Sequence, residues 1–384
     1  MRFFITALLF LPVTLSAQIR DTVLVGRTRD ALTPLYYSLG TDRLGGTRLE
    51  TLDSGVVLNL SGRTDTHWRV RLAPDHTAYV PVSQIIVDSL RSFPTNVVTG
   101  SWRVWGDERY DYVSVALPAR LPYASQQQIS PGRIVVDIFG AASNSNWLTQ
   151  LSSAKEIRNV WYEQVSDEVF RVYIELNHST FWGHSIYYVN NGLMIRVRRP
   201  PTKRRLRGLT IAIDAGHGGS NPGARGRDSG QLEKDLTLDV ARRLRRRLER
   251  SGARVLMTRD RDTSIGPTDR IRAMRKVLPD LLVSIHFNSS GNRQARGVST
   301  YYKHLGFRPL SQAILTELRR LDPHEFGNVG GFNFFFNAPT DYPNVLVEGP
   351  FLSNPDDETL AISERYREGM ARRIRKGLKR FLKR

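Results

Sequence analysis

A chain of 384 residues, 40% of them hydrophobic, has the length for about two or three domains, each with a core of its own. It contains no cysteine, which excludes disulfides, thiolate metal sites and lipid attachment through a thiol, so an exported form must depend on its apolar cores. The formal net charge of +19 predicts attraction to a polyanion: nucleic acid for a cytosolic protein, a cell-wall polymer or an anionic membrane surface for an exported one.

Met1-Arg2, an apolar run from Phe3 to Leu15 and then Ser16-Ala17-Gln18 have the charged start, greasy middle and small-residue end of a secretory signal peptide over residues 1–17. The run is too short to span a bilayer stably, and no other stretch approaches the length required. The mature chain is expected to begin near Gln18, with an uncleaved anchor as the alternative. Export argues against nucleic acid as the partner.

Residues 18–90 carry short alternating runs, Val56-Val-Leu-Asn-Leu60, Trp68-Arg-Val-Arg-Leu72 and Thr77-Ala-Tyr-Val-Pro81, separated by Gly, Asp and Pro. Strands of this length and spacing predict a small β-barrel. The pairing of Trp68-Arg-Val-Arg71 with Ala78-Tyr-Val-Pro81 resembles the Src-homology-like barrels that bacteria attach to secreted wall enzymes, either as wall binders or as spacers. Residues 92–200 are again β-rich, with Tyr112–Leu117, Arg133–Phe139, Val169–Leu176 and Leu193–Val197 alternating as strands of a sandwich with one wet face. Arg133-Ile-Val-Val-Asp137 followed by Phe170-Arg-Val-Tyr-Ile174 resembles the AMIN domain, which implies localisation and not chemistry. Pro200-Pro-Thr-Lys-Arg-Arg-Leu-Arg207 predicts a basic linker over 201–208.

Beyond the linker, strand and helix alternate. Strands are expected at 209–214, 253–258, 281–285, 297–302, 332–336 and 344–348, and helices at about 231–249, 268–277, 309–321 and 361–382, which predicts an α/β domain over 209–384 with a mostly parallel or mixed sheet flanked by helices. In the first helix Leu232, Leu236, Val240, Leu244 and Leu248 recur every four residues and face the sheet. Arg242, Arg243, Arg245, Arg246 and Arg247 occupy its other faces, as a solvated surface or as a polyanion-binding one.

The first strand runs into Ala215-Gly-His217-Gly-Gly219, a turn that exposes backbone and lifts His217 to the strand's carboxyl end. In open α/β sheets ligands bind at that edge, although a lone His there can equally be a cap. The placement repeats: His286 ends the strand Leu281–Ile285, and Glu348 ends Asn344–Val347, while Glu233 opens the first helix. Two imidazoles and a carboxylate with one open position make a catalytic zinc site, and a further carboxylate can serve as its base. Taken alone, Glu233 can equally favour the helix dipole.

Four blocks in order, Ile213-Asp214-Ala-Gly-His217-Gly-Gly219, Leu232-Glu233-Lys234, Ser284-Ile-His286-Phe-Asn288 and Val347-Glu348-Gly-Pro-Phe-Leu-Ser-Asn354-Pro355, resemble the zinc-dependent N-acetylmuramoyl-L-alanine amidases over essentially all of 208–384. The resemblance implies Zn2+ held by His217, Glu233 and His286, with Glu348 as the catalytic carboxylate. It implies peptidoglycan as substrate, cut at the amide between the lactyl group of N-acetylmuramic acid and the first L-alanine. A water with its pKa lowered towards ~7 would attack, and Glu348 would carry its proton to the departing nitrogen. Asp214 is a candidate partner behind a ligating imidazole, or a cap of the local turn.

Some residues depart from the family's habit. Phe332-Asn-Phe-Phe-Phe-Asn337 is aromatic where such enzymes carry a Leu-Arg ending, and Tyr302 to Pro309 is too short for the inserted helix that blocks partner-activated members, so an unblocked enzyme is expected. His304 and His324 lack strand-end placement and read as core or surface residues. Ser353 to Glu358 reads as a loop with a helix cap and acidic first turn. The rival readings are an inactive cell-wall-binding module, a zinc peptidase of the same fold acting on wall peptides, and a basic nucleic-acid binder, the last disfavoured by the signal peptide.

Overall fold

Alternating burial along short strands builds the first half of the molecule. The computed structural model describes residues 20–40, 44–90 and 92–383, so the signal peptide expected at 1–17 lies outside the described residues. Arg20–Thr28 pairs antiparallel with both Val57–Arg63 and Ile85–Asp88 in a seven-stranded sheet. Every second residue of Val57–Arg63 and His67–Ala73 points inward, which buries Leu58, Leu60, Trp68 and Val70.

The next region is a sandwich, as its alternation predicts. Five strands, with Tyr110–Val115 flanked by Trp102–Gly106 and Gly192–Arg198, face four, with Gly132–Phe139 and Val169–Leu176 at their centre. The wet face lies along Ile157–Ser166, mostly exposed, where the Arg133 guanidinium sits 4.8 Å over the Trp161 ring. Both β regions share one continuous core, which also takes in Phe307 from the C-terminal part of the chain.

That C-terminal part consists of β1 (Thr210–Ala215), α1 (Glu233–Glu249), β2 (Arg254–Met257), α2 (Pro267–Val277), β3 (Leu281–Phe287), β4 (Val298–Tyr301), α3 (Arg308–Leu318), β5 (Glu325–Val329), β6 (Asn344–Gly349), α4 (Pro355–Ile362) and α5 (Glu364–Leu382). The sheet order is β2-β1-β3-β6-β4-β5. The first four are parallel, β4 runs antiparallel to β6, and β5 is parallel to β4, so the sheet is mixed. The chain leaves β1 for β2 on one side and returns to β3 on the other, which opens a crevice at the carboxyl ends of β1 and β3. The α1 stripe of Leu236, Val240, Leu244 and Leu248 is buried in the core beside α5, each side chain contributing about 1.5–3 kcal/mol.

Three expectations are corrected. The strand expected at 332–336 is absent; β5 lies earlier, and Phe335–Asn337 is a short 3-10 turn, because Gly330 and Gly331, the latter at φ +66°, turn the chain out of the sheet first. The helix expected at about 361–382 is α5, begun at the Ser363 cap, but a separate helix precedes it: Asn354 caps α4 by accepting from the Asp357 N–H. The 201–208 segment is no free tether, since Leu206 is only 3% exposed within the C-terminal core. Among the described residues no helix is long and apolar enough to cross a membrane.

The basic face of α1 is largely neutralised within the fold. Arg243 bridges Asp239 and Glu368, Arg247 also pairs with Glu368, Arg245 pairs with Glu249, and Arg242 donates to the Asp260 carbonyl. The denser basic surface lies elsewhere, where Arg204, Arg205, Arg320, Lys376, Lys379 and Arg380 line one depression.

Candidate metal centre

Three donor atoms converge where the crevice opens. His217 Nε2 lies 3.0 Å from Glu233 Oε1, His286 Nδ1 lies 3.1 Å from the same oxygen, and the two imidazole nitrogens are 3.2 Å apart. His217 follows β1, His286 lies near the end of the adjacent β3, and Glu233 is the first residue of α1. Glu348 stands in register with His286 across the β3–β6 pair, so the two side chains leave the same face of the sheet as neighbours.

The local sequence makes this convergence. His217 sits at φ +61°, a left-handed conformation that costs a non-glycine residue about 1–2 kcal/mol. Two buried arginines hold it there. Arg270 donates to the carbonyls of Ala215 (2.8 Å) and His217, and Arg259 to those of Ala215 (2.9 Å) and Gly216 (2.8 Å). Gly216 has no alternative: a Cβ there would stand 2.3 Å from Cε1 of His286, so only a bare backbone lets that ring in.

Two of the three donors are oriented by a second contact. Asn221 Oδ1 accepts the Gly223 N–H at 3.1 Å, which fixes that atom as an acceptor, so the proton between it and His217 Nδ1 (3.0 Å) belongs to the imidazole. In the neutral imidazole Nε2 of His217 then presents its lone pair to the centre. Glu233 is anchored by backbone, its Oε1 accepting from the Phe287 N–H (3.1 Å) and its Oε2 from the Ala224 N–H (2.8 Å). Burial opposes ionisation of Glu233, but the hydrogen bonds and charge of His217 and His286 outweigh it and hold its carboxyl well below the usual carboxylate range. For His217 burial likewise works against the charged form, and the Glu233 carboxylate beside it prevails, raising its pKa.

The donor set fits zinc. His217 Nε2 and a Glu233 carboxylate oxygen lie 3.0 Å apart, a contact that a proton satisfies when the imidazole is charged and a metal cation satisfies when it is neutral. Tetrahedral zinc at about 2.0–2.1 Å from its ligands sets them about 3.3 Å apart, close to the 3.0–3.2 Å edges here. These three residues are also the one group of His and carboxylate side chains among the described residues whose atoms all lie within 4.8 Å of one another.

Asp214 does not stand behind an imidazole. It is fully buried and accepts from Thr258 (2.6 Å), Ser284 (2.6 Å) and Arg270 (2.9 Å), so it supports the turn through Arg270 and not the ligands directly. His304 Nε2 donates to the Ala338 carbonyl at 2.9 Å, and burial pushes its pKa down to about 3; His324 is partly exposed beside Asp322. Both lie outside the centre. Sequence reading missed Asn221, Arg259 and Arg270. The Asn-Pro-Gly turn four residues after His217 was a usable signal for the first, whereas the arginines are brought in only by tertiary packing.

Parts of the chain match known proteins. Residues 211–380 match the family model described as N-acetylmuramoyl-L-alanine amidase, and residues 101–199 match the AMIN domain. The chain is similar to the N-acetylmuramoyl-L-alanine amidase AmiC of Neisseria meningitidis serogroup B, 26% identical over 370 residues, covering 73% of this chain and 89% of that protein. It is 34% identical over 178 residues to the probable cell wall amidase LytH of Staphylococcus aureus, covering 46% of this chain and 60% of that protein's length. Among solved structures, an N-acetylmuramoyl-L-alanine amidase from Clostridium difficile 630 aligns at 31% identity and a TM-score of 0.43, over 44% of this chain and 94% of that one. Residues 211–380 thus carry the N-acetylmuramoyl-L-alanine amidase family's segment, with an AMIN domain at 101–199 ahead of it.

Proposed function

We propose that the chain is an exported peptidoglycan hydrolase that cuts the amide between N-acetylmuramic acid and L-alanine. In this reading His217, Glu233 and His286 hold one zinc ion and Glu348 is the general base. The observation that carries it is the convergence of His217 Nε2, Glu233 Oε1 and His286 Nδ1 within 3.2 Å of one another, with Glu348 in register beside His286. A zinc ion held by these groups supplies Lewis acidity, bringing the pKa of a water towards ~7 and polarising the scissile carbonyl.

The protein's own groups do the rest. Asn221 keeps the Nδ1 proton on His217, so the other nitrogen stays a donor of electrons throughout. The Phe287 and Ala224 N–H groups keep Glu233 from swinging away. Glu348 takes the proton of the attacking water and returns it to the amide nitrogen, which would otherwise leave as a poor anion. The division into a signal peptide at 1–17, a β-barrel at 18–90, an AMIN sandwich at 92–200 and a catalytic domain at 209–384 belongs to the same proposal. So does attraction of the basic depression around Arg320, Lys376 and Lys379 to anionic wall polymer or membrane surface.

Digestion of purified peptidoglycan by residues 18–384, followed by mass analysis, tests the reading. The expected products are stem peptides with a free L-alanine amino terminus, lost with chelator and reduced about 10²- to 10⁴-fold in Glu348→Ala. Zinc-dependent release of shorter peptides would move the assignment to a peptidase, and no release would leave a wall-binding protein.

A further inference from the structure

The aromatic run 332–336 does not form a strand, yet it is held firmly beside the metal centre. Phe334 meets the His286 ring edge-to-face at 5.6 Å between centroids, Phe332 stacks on Phe334 at 5.9 Å and 26°, and Tyr301 packs on Phe332 at 4.5 Å. Phe332 and Phe334 are both half-buried, so this row forms a partly open wall leading away from the ligand His286. At its far end the Tyr301 hydroxyl lies within 3.4 Å of the Asn288 and Ser299 side chains, and Ser299 stands in register with Glu348.

The first β region holds the wall from behind. Asn333 acts as a short strand partner: its Oδ1 accepts the Arg48 N–H at 3.1 Å, and its Nδ2 donates to the Gly46 carbonyl at 2.7 Å. The Arg48 guanidinium lies 4.7 Å over the Phe335 ring, and Lys303 Nζ donates to the Arg48 carbonyl at 2.7 Å. Residues 333 and 335 are thus fastened to the first β region, while Phe334 between them turns to the metal ligand.

We propose that the faces of Phe332 and Phe334 are a subsite for a pyranose ring of the glycan, kept in place by the Arg48–Asn333 clamp; this rests on the amidase reading. Aromatic faces carry a negative quadrupole that attracts the C–H face of a sugar ring, and the half-buried Asn288 amide, braced by the buried Ser299 and Tyr301 hydroxyls, offers a neutral hydrogen-bonding group at the edge. The Arg48 guanidinium is engaged over Phe335, and among the described residues no cation is stacked on Phe332 or Phe334. A neutral aromatic wall suits an uncharged N-acetylated sugar better than the carboxylates of a stem peptide.

The test is calorimetric binding to the zinc-loaded full chain of two probes, the peptide-free disaccharide N-acetylglucosaminyl-N-acetylmuramic acid and a free stem peptide. Phe332→Leu keeps the bulk and removes the π face; Asn333→Ala leaves the rings and removes the clamp. The expected result is a loss of disaccharide affinity of about three- to tenfold in Phe332→Leu and a smaller loss in Asn333→Ala, with peptide affinity and zinc content unchanged. A shift in peptide affinity alone would assign the wall to the peptide, and unchanged affinity for both probes would make it packing only; either overturns the proposal. Phe332-dependent disaccharide binding without hydrolysis of peptidoglycan would sink the amidase reading and leave the subsite standing.

Discussion

Replacing Asn221 by alanine is the most direct probe of how the fold prepares the centre. The side chain accepts two hydrogen bonds, from His217 Nδ1 at 3.0 Å and from the Gly223 N–H at 3.1 Å, and together they fix the imidazole tautomer and the strained turn that carries it. At about 1 kcal/mol net for each bond, the loss is about 2 kcal/mol. At about 1.4 kcal/mol per decade this is about a thirtyfold weaker zinc affinity, within the range expected for groups that orient metal ligands. Competition with a chromogenic chelator at pH 7 reads the affinity directly, and thermal unfolding of the zinc-free protein reports any general damage. Asn221→Asp keeps both acceptor bonds and is expected to retain or exceed the parent affinity. An Asn221→Ala affinity within twofold of the parent would refute the argument that this contact sets the tautomer.

Gly216→Ala is expected to abolish zinc binding while leaving the far-ultraviolet dichroism intact, because the added methyl would meet His286 Nδ1 at 2.7 Å and Nε2 at 2.5 Å and displace the ring; stoichiometric zinc in this variant would show that the ring has room to move. The buried His184 predicts acid sensitivity, since burial holds its pKa down to about 4. As pH falls below about 6.5 the unfolded chain gains a proton that the folded one refuses, so stability falls, by about 2 kcal/mol at pH 5, with no contribution above about pH 7. Urea titrations at pH 7 and pH 5 should show that difference shrinking by about 2 kcal/mol in His184→Gln, and an unchanged difference would place the acid sensitivity elsewhere.

The centre was legible because each of its groups is tied to a strand or helix terminus that periodicity reveals. The runs at 209–214, 281–285 and 344–348 are mostly apolar because both faces of these strands are covered, and His217, His286 and Glu348 stand where those runs stop. What stayed hidden depends on contacts between distant residues. The run Phe332-Asn-Phe-Phe-Phe-Asn337 imitates a strand, but Asn333 is taken by Arg48, Asn337 by the Tyr301 carbonyl and Phe334 by His286, contacts that no local pattern records. The arginines of α1 left a solvated face and a polyanion surface both open until α5 supplies Glu368, and Asp214 left a ligand's partner and a turn cap both open until α2 delivers Arg270 to it.

The same distant contacts change what the β regions are. A domain on a flexible tether would raise the local concentration of substrate without fixing its direction. Here Phe307 is buried in the core of the β regions, the Ser185 hydroxyl donates to Asp341 at 2.7 Å, Arg198 pairs with Asp280 at the entry to β3, and Gln127 accepts the Gly306 N–H at 2.9 Å. Gly306 has no side chain to fend off Phe181, against which its Cα face packs; a Cβ there would come within 2.5 Å of that ring. These contacts run along the loops that lead into β3, α3 and β6, three of the elements that frame the crevice. If the sandwich binds wall polymer, that polymer would reach the centre along a direction set by the fold, and a substitution at this interface should then alter cleavage of polymer more than cleavage of a short muropeptide.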